Sequence, residues 1–597
     1  MGEPTQEVEP NATSTACERG DGIEFNFVMK NLEVAEIFRD IAKILEIKGE
    51  NVFRIRAYER AAQNIEGLSR DVEDFAREDT LMDIPGIGKD ISAKIKEFIK
   101  TDKIKMYEDL KKSIPEGLLD LLNIPSVGPK TAKLLYAKLK IKNIADLESA
   151  IQKNKLEGIF GIKEKTIENI LKGIEVLKRG KERMTLAQAT LVAEEFVKSL
   201  ERLPEVKKIS TAGSLRRQKE TVRDIDMLVI SDKPQKIMHA FTKIPSVKDV
   251  LAKGETKCSV RTQGDVQVDC RVVEQKSFGA ALLYFTGSKN FNIKLRQLAI
   301  RKGLKINEYG VFKGNKFVCG KTEEEIFKLL GMSYIEPELR EDTGEIELAK
   351  KSRLPKLIEL KDIKGDLHVH SNYSDGGNSI EEIVTVCRKR GYSYVAITDH
   401  SQSLKVAGGL SPSDLKKKKQ EIDKLNRNLR GFRILFGTEV DIDSDGKIDY
   451  KNEILKEFDV VVAAIHTGFK QSKEQLTKRI IKACSNKYVH IIAHLTGRLW
   501  GTREAYDIDL DKILKAARET NTHLEINAFA QRLDLNDLQA HRAKEMGVKL
   551  VISTDSHTTE QLEAVKFGIS VARRGWISQK DVINTLGVEE LLKTLKK

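Results

Sequence analysis

At 597 residues the chain is too long for one hydrophobic core, and 40% hydrophobic with 32% charged residues is the balance of a globular protein built from several compact units. A formal charge of +13 and a pI near 9.1 call for an anionic partner, nucleic acid first among them. No apolar run approaches the roughly 18–20 residues that cross a bilayer, the acidic start (Glu3, Glu7, Glu9) is not a secretory leader, and six scattered cysteines (Cys17, Cys258, Cys270, Cys319, Cys387, Cys484) suit free thiols in a reducing cytoplasm, so membrane and secreted classes are set aside.

In chain order, residues 1–28 are polar and aperiodic and are expected to be a disordered extension, with Met29 as an alternative start. From Val34 an apolar repeat (Val34, Ile37, Phe38, Ile41, Leu45) opens a helical region that runs to about Arg202. Strand-like runs follow at Lys208–Thr211, Ile225–Ile230 and Asp265–Val273. The charged stretch Glu336–Lys364, with Pro337 and Pro355, reads as an interdomain linker. Beyond it, short β-branched runs (Tyr394–Thr398, Val460–Ile465, Val489–Ala493, His523–Ile526, Lys549–Ser553) alternate with helical segments, the rhythm of an α/β barrel with a mostly parallel sheet.

Two hexapeptide-like loops recur before helices: Ile84-Pro85-Gly86-Ile87-Gly88-Lys89 and Ile124-Pro125-Ser126-Val127-Gly128-Pro129-Lys130, with a fainter copy at Gly158–Lys163. Glycine permits a tight turn, so the amides of a helix start can approach a phosphate, and Lys89 or Lys130 adds charge. The loops resemble helix-hairpin-helix motifs, which hold DNA backbones without reading sequence. Gly86, Gly88, Lys89, Gly128 and Lys130 are therefore candidate DNA contacts.

Gly213-Ser214-Leu215-Arg216-Arg217 precedes Asp224-Ile225-Asp226, and strand alternation turns Asp224 and Asp226 to one face. Adjacent carboxylates repel unless cations lie between them. Mg²⁺ (or Mn²⁺), which takes few carboxylates together with substrate phosphates, fits, and Asp269 on a further strand can join it. Gly213, Ser214 and Arg217 would hold a nucleotide's phosphates.

The run Tyr284-Phe285-Thr286-Gly287-Ser288-Lys289-Asn290-Phe291-Asn292, followed by Arg296 and Asn307-Glu308-Tyr309, resembles the thumb of family X DNA polymerases, the group that includes DNA polymerase beta. The resemblance spans about residues 30–335. It implies that Tyr284 and Phe285 exclude a ribose 2′ hydroxyl, that Gly287 and Asn292 lie at the incoming nucleotide, and that Arg296 contacts the template. It also aligns Lys94 with the family's Schiff-base lysine for removing a 5′ deoxyribose phosphate; a solvated lysine is the competing reading.

Nine of the ten histidines lie after residue 360. His368 and His370 share a strand face. Asp375, His400, Glu439, His466, His494, Asp555 and His557 follow, nearly all closing β-rich runs, where barrel chemistry sits. These nine groups suffice for two or three Mn²⁺, Zn²⁺ or Fe²⁺ ions. Their order resembles the polymerase-and-histidinol-phosphatase (PHP) domain. His239, His490, His523 and His541 read as structural, and Lys416–Lys419 as a solvated helix face.

The two resemblances together imply a multidomain α+β and α/β protein. Its expected parts are a helical domain (29–100), a second helical DNA-binding subdomain (101–182), a nucleotidyltransferase palm (183–275), a thumb (276–340), a linker (341–363) and a distorted PHP-type barrel (364–597). They imply gap filling in DNA repair with gapped or primer-template DNA and deoxynucleoside triphosphates, and a metal-dependent 3′→5′ exonuclease or abasic-site activity, in a monomer. The rival readings are a barrel that hydrolyses a small phosphate monoester and a barrel that is a metal-stabilised scaffold.

Overall fold

A computed structural model describes residues 27–597 apart from 67–71, 85, 116, 125–126, 157–158, 160–161, 163–165, 169, 172 and 175–182. Residues 1–26 of the expected extension and the body of the third hairpin copy lie outside the described residues, and the last two residues of that extension, Phe27 and Val28, open a helix instead. The chain divides into two compact units, Met1–Leu45 with Glu50–Leu110, and Glu46–Gly49 with Lys111–Lys597.

In the first unit, helix α1 (Phe27–Lys48) turns Val34, Phe38, Ile41 and Leu45 to one side at the expected three- and four-residue spacing. They close a core with Tyr58, Ala61 and Ile65 of α2 (Val52–Glu66) and with Ile95 and Phe98 of α3 (Lys89–Thr101).

The second unit begins with small helices, among them α4 (Pro129–Leu139), which has Pro129 in its first turn, where a missing N–H costs nothing. A five-stranded mixed sheet follows, built from β1 (Lys208–Thr211), β2 (Asp224–Ile230), β3 (Val247–Lys253), β4 (Lys257–Thr262) and β5 (Gln267–Val273), in the order β1-β2-β5-β4-β3. β2 and β5 run parallel and the other pairs antiparallel. Helix α5 (Leu186–Glu201), capped by a Thr185–Gln188 box, packs Ala189, Ala193 and Phe196 into the core of this sheet. β3 and β4, a pair with weak apolar alternation, went unrecognised in the sequence: six of the seven β3 residues are exposed.

Helices α6 (Phe278–Thr286) and α7 (Lys289–Arg301) and a three-stranded antiparallel sheet, β6 (Lys305–Asn307), β7 (Gly310–Lys313) and β8 (Lys316–Cys319), form the next layer. The expected linker does not behave as one. Leu339, Ile346, Ala349 and Leu357 enter the core around Phe291 and Phe327, and Ile358 and Ile363 join the core shared with the C-terminal domain. Its charges misled because they are satisfied internally: fully buried Arg340 forks onto Glu323 at 2.6 and 3.1 Å, and Glu345 accepts the amides of Asp342 and Thr343.

The C-terminal domain is a seven-stranded, wholly parallel sheet in sequential order: β9 (Gly365–Val369), β10 (Tyr394–Ile397), β11 (Arg433–Asp441), β12 (Val460–Ala464), β13 (Ile491–Ile492), β14 (His523–Asn527) and β15 (Leu550–Ser553). Val369 bridges Ser556 just beyond β15, so the first and last strands meet and the sheet is a nearly closed barrel. Five strands coincide with the expected runs; β11 was read only as a motif. Capping boxes at Ser379–Glu382, Ser472–Gln475 and Asn536–Gln539 set where three of the surrounding helices begin.

Candidate functional site

Parallel pairing puts Asp226 of β2 beside Asp269 of β5, with Asp224 two residues back on the same face. Burial, then Asp224 and Asp269, push the Asp226 carboxyl up to about 7, while Lys257 and Arg271 act in the opposite direction. A buried carboxyl crowded by two further carboxylates is suited to divalent cations. Gln267, unnoticed in the sequence, lies with its amide 3.2 and 3.3 Å from the two oxygens of Asp269.

The Gly213–Arg216 turn is tied to this strand: Ala212 N–H donates to the Asp226 carbonyl at 2.8 Å. Gly213 has φ +60, and a Cβ there would meet Asp226 Oδ2 at 2.3 Å, so only glycine fits. Ser214 is the next residue of the same turn. Arg217 points to the neighbouring layer, donating to Glu341 and to the Thr286 carbonyl. Phe285 borders the Asp226–Asp269 cavity with Lys257 and Arg271. Tyr284 packs edge-on against Phe285, Asn292 Nδ2 donates to the Tyr284 carbonyl at 2.7 Å, and the Arg296 guanidinium stacks 5.0 Å from the Tyr284 ring. Gly287, at φ +70, ends α6.

Both described hairpins share one geometry, each within its own unit. Gly88 caps α3 and Gly128 caps α4 in extended conformation, with the apolar residues Ile84/Ile87 and Ile124/Val127 buried beneath. Gly86 takes φ +81, and Lys89 and Lys130 are exposed at the helix starts. Lys94 is largely buried against α2; it pairs with Asp90 at 2.6 Å and donates to the Asp90 carbonyl.

All nine expected ligands converge at the C-terminal ends of the barrel strands. Three overlapping groups could each hold an ion: His370, Asp375, His400 and His557; His368, His370 and Asp555; His400, Glu439 and His466. His494 reaches Glu439 at 3.0 Å. His368 Nε2, both ring nitrogens of His370 and Glu439 Oε2 are buried without a hydrogen-bond partner. Such atoms are costly unless something satisfies them, and imidazole with carboxylate is the donor set of Mn²⁺, Zn²⁺ and Fe²⁺. The residues therefore fit a multinuclear centre. Burial, His557 and His400 hold His370 down at about 4; burial would also lower His400, but Glu439 and Asp375 raise it to about 10.

A supporting layer escaped the sequence reading. Glu525 lies 2.8 Å from His368 Nδ1 and accepts the His494 amide, and Asp441 pairs with His466 Nδ1. Asp399 accepts from the Ser371 amide and from the Ser371 and Ser374 hydroxyls, bracing the loop that carries Asp375. Its counter-ion is Lys418, fully buried 2.8 Å away and donating to the carbonyls of Ile397 and Gly437. This corrects the solvated-face reading of Lys416–Lys419: helical periodicity turns one of the four lysines inward, where a carboxylate awaits it. His490 and His523 are buried, His239 is exposed, and His541 pairs with Glu545; none joins the ion-holding groups.

Family models match along the chain: a helix-hairpin-helix domain over residues 29–104, a SAM-like helix-hairpin-helix tandem over 118–175, the DNA polymerase beta thumb over 281–341 and the PHP domain over 366–529. The chain is 40% identical over 573 residues to the DNA polymerase/3′-5′ exonuclease PolX of Bacillus subtilis, covering 95% of this chain and 100% of that protein. A probable phosphatase of Thermoanaerobacter sp. is 33% identical over 245 residues, 39% of this chain and 95% of that one. DNA polymerase lambda of Rattus norvegicus is 25% identical over 344 residues, 52% of this chain and 56% of that one.

Proposed function

We propose, for a chain that belongs to the family X DNA polymerases with a C-terminal PHP domain, that its two activities are housed in two separate acidic centres. The protein is a DNA-directed DNA polymerase with a 3′→5′ exonuclease, and both halves are metal-dependent. Asp224, Asp226 and Asp269 carry nucleotidyl transfer. His368, His370, Asp375, His400, Glu439, His466, His494, Asp555 and His557 carry trimming. The observation behind this division is the set of buried, unpartnered imidazole and carboxylate atoms at the barrel mouth, in a domain separate from the aspartate triad.

Asp224, Asp226 and Asp269 would hold Mg²⁺ or Mn²⁺, and the nine barrel groups two or three Mn²⁺, Zn²⁺ or Fe²⁺ ions, which would supply charge neutralisation and Lewis-acid activation. The protein's own residues do the rest. Gly213 lets the Ser214 turn approach Asp226, and Ser214 and Arg217 bind the triphosphate. Tyr284 and Phe285 wall the sugar, and Asn292 and Arg296 meet the nucleotide and template. Gly88 and Gly128 offer helix-start amides to the DNA backbone, with Lys89 and Lys130 adding charge. Filling of short gaps in base excision repair follows, with cleaning of 3′ ends as the barrel's part.

A 5′-labelled mismatched primer on a gapped template, incubated with Mn²⁺ with and without deoxynucleotides, tests this. Asp224→Ala/Asp226→Ala is expected to lose extension and keep shortening, and His368→Ala/His370→Ala the reverse. A wild type that extends but never shortens the primer, while hydrolysing histidinol phosphate, would replace the exonuclease assignment with a small-substrate phosphatase.

A further inference from the structure

The Arg217 guanidinium is held before any substrate arrives. Its Nε donates to Glu341 at 3.1 Å and its Nη1 to the Thr286 carbonyl. Two of the five N–H donors of an arginine are thus used to fix the plane, and the others remain for a phosphate. Glu341 is in turn gripped by Arg574, whose Nη1 lies 3.1 Å away, with Lys219 at 3.6 Å.

Arg574 belongs to the barrel, in the last turn of helix Val565–Arg574. The same Nη1 donates to the carbonyl of Arg217 itself at 2.9 Å and to that of Glu338 at 3.3 Å. Its other edge forks onto Asp537 at 2.8 and 2.7 Å. Its bonds go to Asp537, Arg217, Glu338 and Glu341, none of them in the histidine cluster, and the side chain is only 5% exposed. Two more contacts fasten the same stretch to the barrel: the Ser570 hydroxyl donates to Gln218 at 2.8 Å, and Arg498 pairs with Glu220 at 2.6 Å.

We infer that Arg574 is a positioning residue for polymerisation: the barrel, through Arg574, orients Arg217 of the palm toward the incoming triphosphate. The inference rests on the reading of Arg217 as a triphosphate contact. An arginine left free would lose side-chain entropy on meeting the nucleotide; one already locked in a buried ionic chain does not, so nucleotide affinity is the quantity that changes. The barrel then serves the polymerase by contact as well as by trimming.

The test is steady-state gap filling by the full-length protein, with 3′ shortening and thermal melting measured on the same samples. Arg574→Ala should raise the KM for deoxynucleotide about five- to tenfold with kcat nearly unchanged, and leave shortening intact. Arg217→Ala should raise KM by at least as much, and the double variant should be no worse than Arg217→Ala alone, because the two act through one link. Glu341→Ala breaks that link from outside the barrel and should reproduce the KM rise if Arg574→Ala fails to fold. A rise with Arg217→Ala but none with Arg574→Ala or Glu341→Ala overturns the inference alone, as does full additivity in the double variant. An unchanged KM in Arg217→Ala removes the reading of Arg217 beneath it.

Discussion

Lys418 and Asp399 form a fully buried ion pair behind the barrel's ligands, and Asp399 spends its remaining capacity on Ser371 and Ser374. Removing one partner strands the other charge in a site closed to water, at a cost of about 3–5 kcal/mol. Lys418→Met is therefore expected to lower the melting temperature of the C-terminal domain and its metal content, measured by calorimetry and elemental analysis. Lys418→Met/Asp399→Asn should recover part of both; a single variant that melts like wild type would show that the pair contributes little. Glu323 makes a second residue-scale case. Burial would push its carboxyl up, but Arg340 and Arg216 outweigh that and bring it to about 2. The folded value lies below the unfolded one of about 4.3, so the unfolded chain binds more protons between them. The stability this pairing contributes is complete above pH about 4.3 and is lost as pH falls toward 2. Glu323→Gln should flatten that acid limb in a pH series of unfolding curves, and an unchanged limb would assign it elsewhere.

At the scale of elements, function depends on where a turn or strand ends. The Gly213–Arg216 turn presses on β2 so closely that no side chain fits at residue 213. Gly213→Ala must displace either Asp226 or the turn, at a left-handed φ that alanine also disfavours. Extension should fall by two or more orders of magnitude while shortening stays at wild-type level; retention of extension would mean that the turn can shift without disturbing the aspartates. The same reasoning shows why some elements could be read early and others not. β5 alternates throughout, with every second residue buried in the core, and β2 alternates over Asp224–Met227 before its last residues, Leu228–Ile230, are buried in succession. β3 is nearly all exposed and has no such signature. The Glu336–Lys364 stretch hid its packing behind charges whose partners, such as Glu323, lie elsewhere in the chain.

For the whole molecule, the charge of +13 becomes meaningful through the two capped hairpin helices and their exposed lysines. Binding that rests on phosphate contacts releases counterions, so affinity for gapped DNA should fall steeply with salt. If about six phosphates are neutralised, the loss between about 50 and 200 mM salt is on the order of 10³-fold, measurable by fluorescence anisotropy. A flat salt response would exclude backbone contacts as the main source of affinity.

Local spacing was enough to pick out the acidic and histidine groups that the fold brings together. Asp-x-Asp on a strand, His-x-His on a strand and Gly-x-Gly-Lys before a helix are patterns of period two or of a single turn, and each reports a geometry that neighbouring residues create by themselves. Only the folded chain could decide which charges are buried and with whom. Lys418 meets Asp399, His368 meets Glu525 and Arg217 meets Glu341 and Arg574 across separations of 19 to 357 residues in the chain, from residue numbers alone. The worth of a charged group is set by the partner it finds when water is removed, and that partner is chosen by packing.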